Sequence, residues 1–169
     1  MNEPIELNAA DGHRLAAYLA VPVSTPRGGL IVVQEIFGVN SHIRAVADGF
    51  ALDGYLAIAP ALFDRVERGV DIGYSAQDIQ RGRALKEACT VEKAMLDIRG
   101  AVKLLQSRLT PGARIGIVGY CWGGLLSWLA ACEVDSLAAS VPYYGGGMPD
   151  HVARVPRCAG NSRAARSAS

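Results

Sequence analysis

One cysteine of the sequence stands where a strand is predicted to turn sharply into a helix. In "GYCWGG", residues 119–124, Cys121 follows the apolar run "RIGIV" and precedes the apolar run "LLSWLAA". The pattern G-x-nucleophile-x-G is typical of a strained turn that exposes a nucleophile. Gly119 and Gly123 stand where the strand and the helix would approach too closely for a Cβ atom. The turn makes Cys121 a candidate nucleophile; the alternative is a glycine-rich turn with a buried, inert cysteine.

The predicted position of Cys121 also favours acyl-transfer chemistry. At the N-terminus of a helix, free N–H groups and the helix dipole stabilise a thiolate. The N–H of Trp122 would point toward a developing oxyanion, as one donor of an oxyanion hole. A second donor would come from the loop after the earlier strand, where Ile36 and Phe37 lie.

A carboxylate at the end of another apolar strand is the second candidate group. Glu35 follows the run "LIVVQ". Buried carboxylates are rare unless they are paired or functional, and the alternative is an acid at the solvent end of the strand. Sites of parallel sheets form at the carboxyl ends of the strands, where both Glu35 and Cys121 fall. A carboxylate near a thiol disfavours the thiolate until the carboxylate moves or is neutralised.

The elements that must position these residues alternate between strand and helix. The chain reads as a hairpin around Asp11-Gly12, followed by further elements in the overall order β-β-β-α-β-α-β-α-β. The clearest helix covers residues 91–109, and residues 61–82 are predicted to be a long loop leading into a short helix. This order predicts an α/β fold, with a mostly parallel sheet that has helices on both faces.

Composition limits the classes of function. The 169 residues are half hydrophobic and carry a net charge of +1, which favours one globular domain and no attraction to nucleic acid or membranes. No apolar run could span a bilayer and the N-terminus lacks an apolar signal core, so a cytoplasmic location with free thiols is expected. Three scattered histidines and isolated cysteines lack metal-ligand spacing, and no phosphate-binding glycine pattern occurs. No metal or cofactor is expected.

The sequence resembles the dienelactone hydrolase family of the α/β-hydrolase fold. The stretches "VVQEIFGVNSHIRAVADGFALDGYLAIAPALF", "VGYCWGG" and "VPYYGGG" carry the resemblance, which covers about residues 5–150. It implies an esterase that opens a strained, conjugated cyclic lactone bearing a carboxylate, a carboxymethylenebutenolide-like substrate of aromatic degradation. Cys121 matches the family's nucleophile. Glu35 matches an acid that interacts with the resting thiol and is displaced when substrate binds.

The resemblance also implies how substrate is held. Ile36 and Trp122 match the backbone donors of the oxyanion hole. The family has an arginine on the segment before the long helix, which binds the substrate carboxylate. Here "QRGRALKE" offers Arg81 and Arg83, and an ungapped comparison lands cleanly on neither. Arg81 is taken as the candidate.

The sequence departs from the family pattern after the last predicted strand. In this fold an acid and then a histidine follow the nucleophile. The acids and the histidine that follow Cys121 lie at positions that fit neither role: Glu133, Asp135, Asp150 and His151. His13 belongs to the first hairpin turn, and His42 begins the helix after "FGVN". Without a base within reach of the thiol, we expect this polypeptide to be inactive or nearly so.

The resemblance ends at about Pro156. We therefore expect an incomplete α/β-hydrolase domain at residues 1–156, lacking the C-terminal strands, and an unstructured basic tail at residues 157–169. A shifted reading frame or an early stop would explain this, and the coding DNA beyond residue 156 tests it. A genuine basic tail that binds an acidic partner is the alternative.

The competing function is a non-catalytic α/β binding module, or a fragment completed by a partner chain. The sequence does not say whether chains pair.

Overall fold

Seven strands form one sheet in the computed structural model, which describes residues 3–160. The strands are β1 (Glu3–Asn8), β2 (Arg14–Ala20), β3 (Gly29–Val33), β4 (Leu56–Pro60), β5 (Ile115–Tyr120), β6 (Leu137–Tyr143) and β7 (Ala159–Gly160). Their order across the sheet is β1-β2-β4-β3-β5-β6-β7. The pairs β1–β2 and β2–β4 are antiparallel, and the five strands from β4 to β7 in this order are parallel to one another.

Four α-helices connect these strands: α1 (Ser41–Leu52), α2 (Ala76–Ala88), α3 (Val91–Arg108) and α4 (Trp122–Glu133). Side-chain caps fix where three of them begin, because each cap satisfies an N–H group that the first turn leaves free. Asn40, Ser75 and Thr90 accept from the backbone N–H groups three residues further on. No helix within residues 3–160 is long and apolar enough to cross a membrane.

Alternating side chains of the central strands point into two separate cores. Ile31 and Val33 of β3 belong to a core shared with α2, α3 and α4, whereas Val32 belongs to a second core shared with α1. The expected mostly parallel sheet with helices on both faces is therefore confirmed. On the α1 face, β5 and β6 border a groove of about 230 Å³ whose lining includes Leu30, Phe50, Val118, Tyr120, Val141 and Tyr143.

Residues 61–82 are more ordered than the predicted long loop and short helix. A 3-10 turn covers Leu62–Arg65, and α2 then runs for 13 residues. Ser75 and Asp78 form a reciprocal capping box at its start. Gly82 lies inside α2. A side chain does not fit at this position, because a Cβ atom there would lie 2.2 Å from the Ile36 carbonyl oxygen. This glycine therefore allows a close approach of two segments and does not break the helix.

The segment after β6 also departs from expectation. Residues 157–160 were predicted to belong to an unstructured tail, yet the Arg157 N–H donates to the Ala131 carbonyl at 2.7 Å and β7 pairs with Ala139 and Ser140. The guanidinium of Arg157 forms an ion pair with Asp135 at 2.7 Å. The open edge of β6, the Ala131 carbonyl of α4 and the Asp135 carboxylate supply the partners for this segment. Residues 161–169 of the predicted tail lie outside the described residues.

Candidate active site

Cys121 lies between the end of β5 and the start of α4, in a backbone conformation that few side chains adopt. It is the N-cap residue of α4, with φ of 54° and ψ of −119°. A positive φ at a residue with a Cβ atom is strained and persists only where the surroundings enforce it. The Cys121 N–H donates to the Tyr143 carbonyl at 3.1 Å, and the Cys121 carbonyl accepts from Gly124 at 2.9 Å. The cysteine is half-buried.

Three glycines make this turn possible by letting backbone segments touch. A Cβ atom at Gly119 would lie 2.0 Å from the Gly123 carbonyl oxygen, and one at Gly123 would lie 2.4 Å from the Val33 carbonyl oxygen. A Cβ at Gly124 would lie 2.3 Å from the Tyr143 carbonyl oxygen. Since real Cβ atoms do not approach backbone so closely, the spacing of these glycines follows from the geometry of the turn.

The same contacts bring the end of β3 against the N-terminus of α4. Trp122 is buried, its ring stacked on Phe63 with centroids 5.3 Å apart, and its N–H belongs to the first turn of α4. The fully buried Gln34 accepts from the Leu62 N–H at 3.1 Å and donates to the Glu35 carbonyl at 3.3 Å. These bonds fix Gln34, whose carbonyl oxygen would lie 2.5 Å from a Cβ at Gly123 in the first turn of α4.

Glu35 and Cys121 are arranged around the same tyrosine. The Tyr144 hydroxyl donates to Glu35 Oε1 at 3.4 Å. Burial, followed by the negative charge of Glu35 and a smaller effect of Cys121, raises the pKa of Tyr144 to about 12. Burial, then Tyr143 and Glu35, also raise the pKa of Tyr120. The carboxylate and the thiol thus share one cluster at the carboxyl ends of the strands.

Aromatic residues form most of this cluster, and sequence reasoning assigned them no role. Tyr120 and Tyr143 stack with ring centroids 5.2 Å apart and planes 4° apart, and His42 meets Tyr120 edge-on at 5.9 Å. Tyr144 has a φ of 37°. The available signal was the position of "YY" at the carboxyl end of a strand next to that of Cys121.

Arg81 lies on the exposed side of α2, where it forms an ion pair with Glu67. Its neighbour Gly82 touches the Ile36 carbonyl, so α2 passes next to the loop that carries the second expected oxyanion donor. Arg83 is also exposed. The structure therefore places Arg81 on an element next to the site, with a carboxylate as its partner.

The three histidines have other surroundings. His13 donates its N–H to Asp11 in the first hairpin, His42 packs on Tyr120, and the His151 carbonyl accepts from the Trp128 indole. Within residues 3–160, none of them forms a hydrogen bond with the Cys121 thiol. No group of three His, Cys, Asp or Glu residues in that range could hold a metal ion.

The other cysteines lie in environments that suppress ionisation. Burial raises the pKa of the Cys89 thiol to about 11, and its Sγ contacts the Leu62 carbonyl oxygen at 3.4 Å. Burial also raises the pKa of Cys132 and that of Cys158. Cys121 is therefore distinguished by its place at a helix N-terminus, where a thiolate is favoured.

Comparison with known proteins agrees with this geometry. The dienelactone hydrolase family model matches residues 15–161. The carboxymethylenebutenolidase of Pseudomonas putida is 30% identical over 158 residues, which are 92% of this chain and 66% of that protein. A Synechocystis protein provisionally named a carboxymethylenebutenolidase is 37% identical over 80% of this chain and 56% of its own length.

Solved structures show the same relationship. A Klebsiella pneumoniae protein provisionally named a dienelactone hydrolase superposes with a TM-score of 0.72 at 31% identity, covering 86% of this chain and 60% of that one. A Xanthomonas campestris α/β serine hydrolase shares the fold with a TM-score of 0.67 at 12% identity, over 94% of this chain and 68% of that one. The chain spans about half to two thirds of the length of the curated relatives it matches. From the match over most of its length, the chain belongs to the dienelactone hydrolase family.

Proposed function

We propose that Cys121 is the nucleophile of a site that opens esters or lactones by acyl transfer. The observation that carries this proposal is the strained conformation of Cys121 at the start of α4, enforced by glycines that allow backbone contact on each side. An inert cysteine would gain nothing from such a conformation, whereas a nucleophile gains exposure and the field of the helix N-terminus.

The chemistry would proceed through a thioester. The Cys121 sulfur attacks the carbonyl carbon, and the N–H groups of Trp122 and Ile36 hold the oxygen as its negative charge develops. Collapse of this intermediate breaks the carbon–oxygen bond and releases an alkoxide or enolate, which in a lactone stays in the same molecule. Water then attacks the thioester, which returns the sulfur as thiol and yields a carboxylate. This second step needs a base to take the proton from water.

Glu35 and Arg81 have supporting parts in this proposal. A carboxylate in the cluster of the thiol disfavours the thiolate, so Glu35 would reduce the thiolate fraction of Cys121 until substrate displaces the acid. Arg81 would bind a substrate carboxylate, as the family resemblance implies, once its ion pair with Glu67 breaks. The name of the Pseudomonas relative supports a carboxylate-bearing lactone as the substrate class.

The 169 residues by themselves are proposed to acylate faster than they deacylate. None of the histidines hydrogen-bonds the thiol within residues 3–160, so no base is ready to activate water. A thioester would then accumulate, and turnover would be slow. Supplying the base from another segment would be needed for full activity.

A pre-steady-state measurement with an aryl ester tests the proposal. We expect a burst of about one equivalent of phenolate per chain and then little turnover, because acylation needs no proton for a phenolate leaving group. Cys121→Ala should abolish the burst, and the matched control Cys158→Ala should retain it. With a carboxylate-bearing ester, Arg81→Ala should slow the burst more than with a neutral ester. A burst that survives Cys121→Ala would contradict the proposal.

The competing function, a binding module or a fragment completed by a partner chain, has one observation in its favour. The groove beside β5 and β6 is lined mainly by apolar side chains, and α1 is the only helix packed on that face within residues 3–160. Absence of any burst, together with equal reactivity of Cys121 and Cys158 toward a thiol reagent, would favour this second function.

A further inference from the structure

Tyr144 shares an unusual property with Cys121. Within residues 3–160 these are the two non-glycine residues with a positive φ, 54° for Cys121 and 37° for Tyr144. They follow β5 and β6, which are adjacent parallel strands, so both strained positions lie at the same edge of the sheet. Strain of this kind clusters where a side chain must be aimed at a functional group.

The side chain of Tyr144 is aimed at the acid of the site. Its hydroxyl donates to Glu35 Oε1 at 3.4 Å across a sequence separation of 109 residues. The titratable groups that act on Tyr144 are Glu35, Cys121 and Tyr120, and each of them holds the phenol in its neutral form. A neutral phenol can donate a hydrogen bond, and the carboxylate is the acceptor that it meets.

We propose that Tyr144 is a positioning residue whose hydroxyl holds the Glu35 carboxylate next to the Cys121 thiol and so limits how readily that thiol ionises. This inference rests on the proposed function, because it assigns a part to a residue that would act through Glu35. Loss of the Tyr144 hydroxyl would weaken the effect of the Glu35 negative charge on the Cys121 thiol in either of two ways. The carboxylate would turn toward solvent, or it would take up a proton more readily without its donor.

The rate at which iodoacetamide alkylates Cys121 measures the reactivity of the thiolate form, and the measurement needs no catalytic turnover. We expect Tyr144→Phe to raise the alkylation rate of Cys121 at neutral pH by about threefold to tenfold, the equivalent of a half to one pKa unit. The profile of rate against pH should move to lower pH by the same amount. Tyr143→Phe is the matched control, since it removes a neighbouring hydroxyl and keeps the stacked ring. It should leave the rate unchanged.

A double-mutant cycle separates positioning from a merely structural effect. In a Glu35→Gln background, Tyr144→Phe should change the alkylation rate by less than about twofold, because the charge that the hydroxyl positions is gone. Melting temperatures of all variants should match, since the phenyl ring retains the packing of Tyr144. A rate increase in Glu35→Gln alone is also expected.

Three results would overturn the inference: an unchanged or lower rate in Tyr144→Phe, an equal rise in Tyr143→Phe, or an effect of Tyr144→Phe that persists with Glu35→Gln. The proposed function fails by a different result, the absence of an acyl burst that depends on Cys121. If the burst depends on Cys121 but Tyr144→Phe leaves the alkylation rate unchanged, the proposed function stands and the inference about Tyr144 is wrong.

Discussion

The turns that follow β5 and β6 both contain a strained non-glycine residue, but close backbone contacts extend further around the first turn than around the second. At β5 the backbone around Cys121 is in contact on all sides, through Gly119, Gly123 and Gly124. At β6 Tyr144 is half exposed and its hydroxyl contacts Glu35. A Cβ at its neighbour Gly145 would lie 2.6 Å from the Leu125 backbone nitrogen, whereas a Cβ at Gly146 would meet nothing within 4 Å. Close backbone contacts therefore hold the whole of the first turn, whereas in the second turn they reach Gly145 and leave Gly146 open.

Glycine substitutions should give the largest difference between the two turns. Gly123→Ala would place a Cβ 2.4 Å from the Val33 carbonyl oxygen and 2.5 Å from that of Gln34. Because backbone cannot yield cheaply, we expect the free energy of unfolding to fall by about 3 kcal/mol, as for severe overpacking. Denaturant unfolding measures this change.

Gly146→Ala is the control for that prediction, because it makes the same chemical change in the open part of the second turn. We expect its free energy of unfolding to stay within about 0.5 kcal/mol of the parent chain. If the two variants were equally destabilised, the proposed contrast between the packed backbone at Gly123 and the open backbone at Gly146 would be wrong.

The segment beyond β6 should give the smallest effect. Arg157 and Asp135 form an ion pair with exposed side chains, and exposed pairs contribute little to stability. We expect Arg157→Ala to lower the melting temperature by about 2 °C or less, while amide exchange at Ala159 and Gly160 becomes faster. A large loss of global stability would show that this segment is part of the cooperative core.

The sequence predicts the turn at β5 well because its determinants are local. A nucleophile between two glycines, after an apolar strand and before an apolar helix, leaves few conformations for Cys121. The alternation of strands and helices likewise predicts the parallel sheet, since buried runs such as "LIVVQ" suit strands covered on both faces.

What the sequence could not predict depends on contacts between distant residues. The contact of Tyr144 with Glu35 joins the ends of two strands, and nothing in "YYGGG" specifies which tyrosine hydroxyl meets that carboxylate. Residues 61–82 indicated a long loop and a short helix, but Gly82 lies inside a 13-residue helix, where its absent side chain makes room for the carbonyl of Ile36. The arginines near the chain end suggested a free basic tail, yet Arg157 pairs with Asp135 at the end of α4.

Peptide-level mapping of iodoacetamide labelling tests most directly whether Cys121 is the reactive thiol of this chain. Burial raises the pKa of Cys89, Cys132 and Cys158, so their thiolate fractions at neutral pH are small and grow about tenfold per pH unit up to the pKa. We expect Cys121 to be labelled first at neutral pH, and the other three cysteines to reach a similar labelling rate only in alkaline solution. Labelling of Cys158 or Cys132 at the same rate as Cys121 at neutral pH would contradict this expectation.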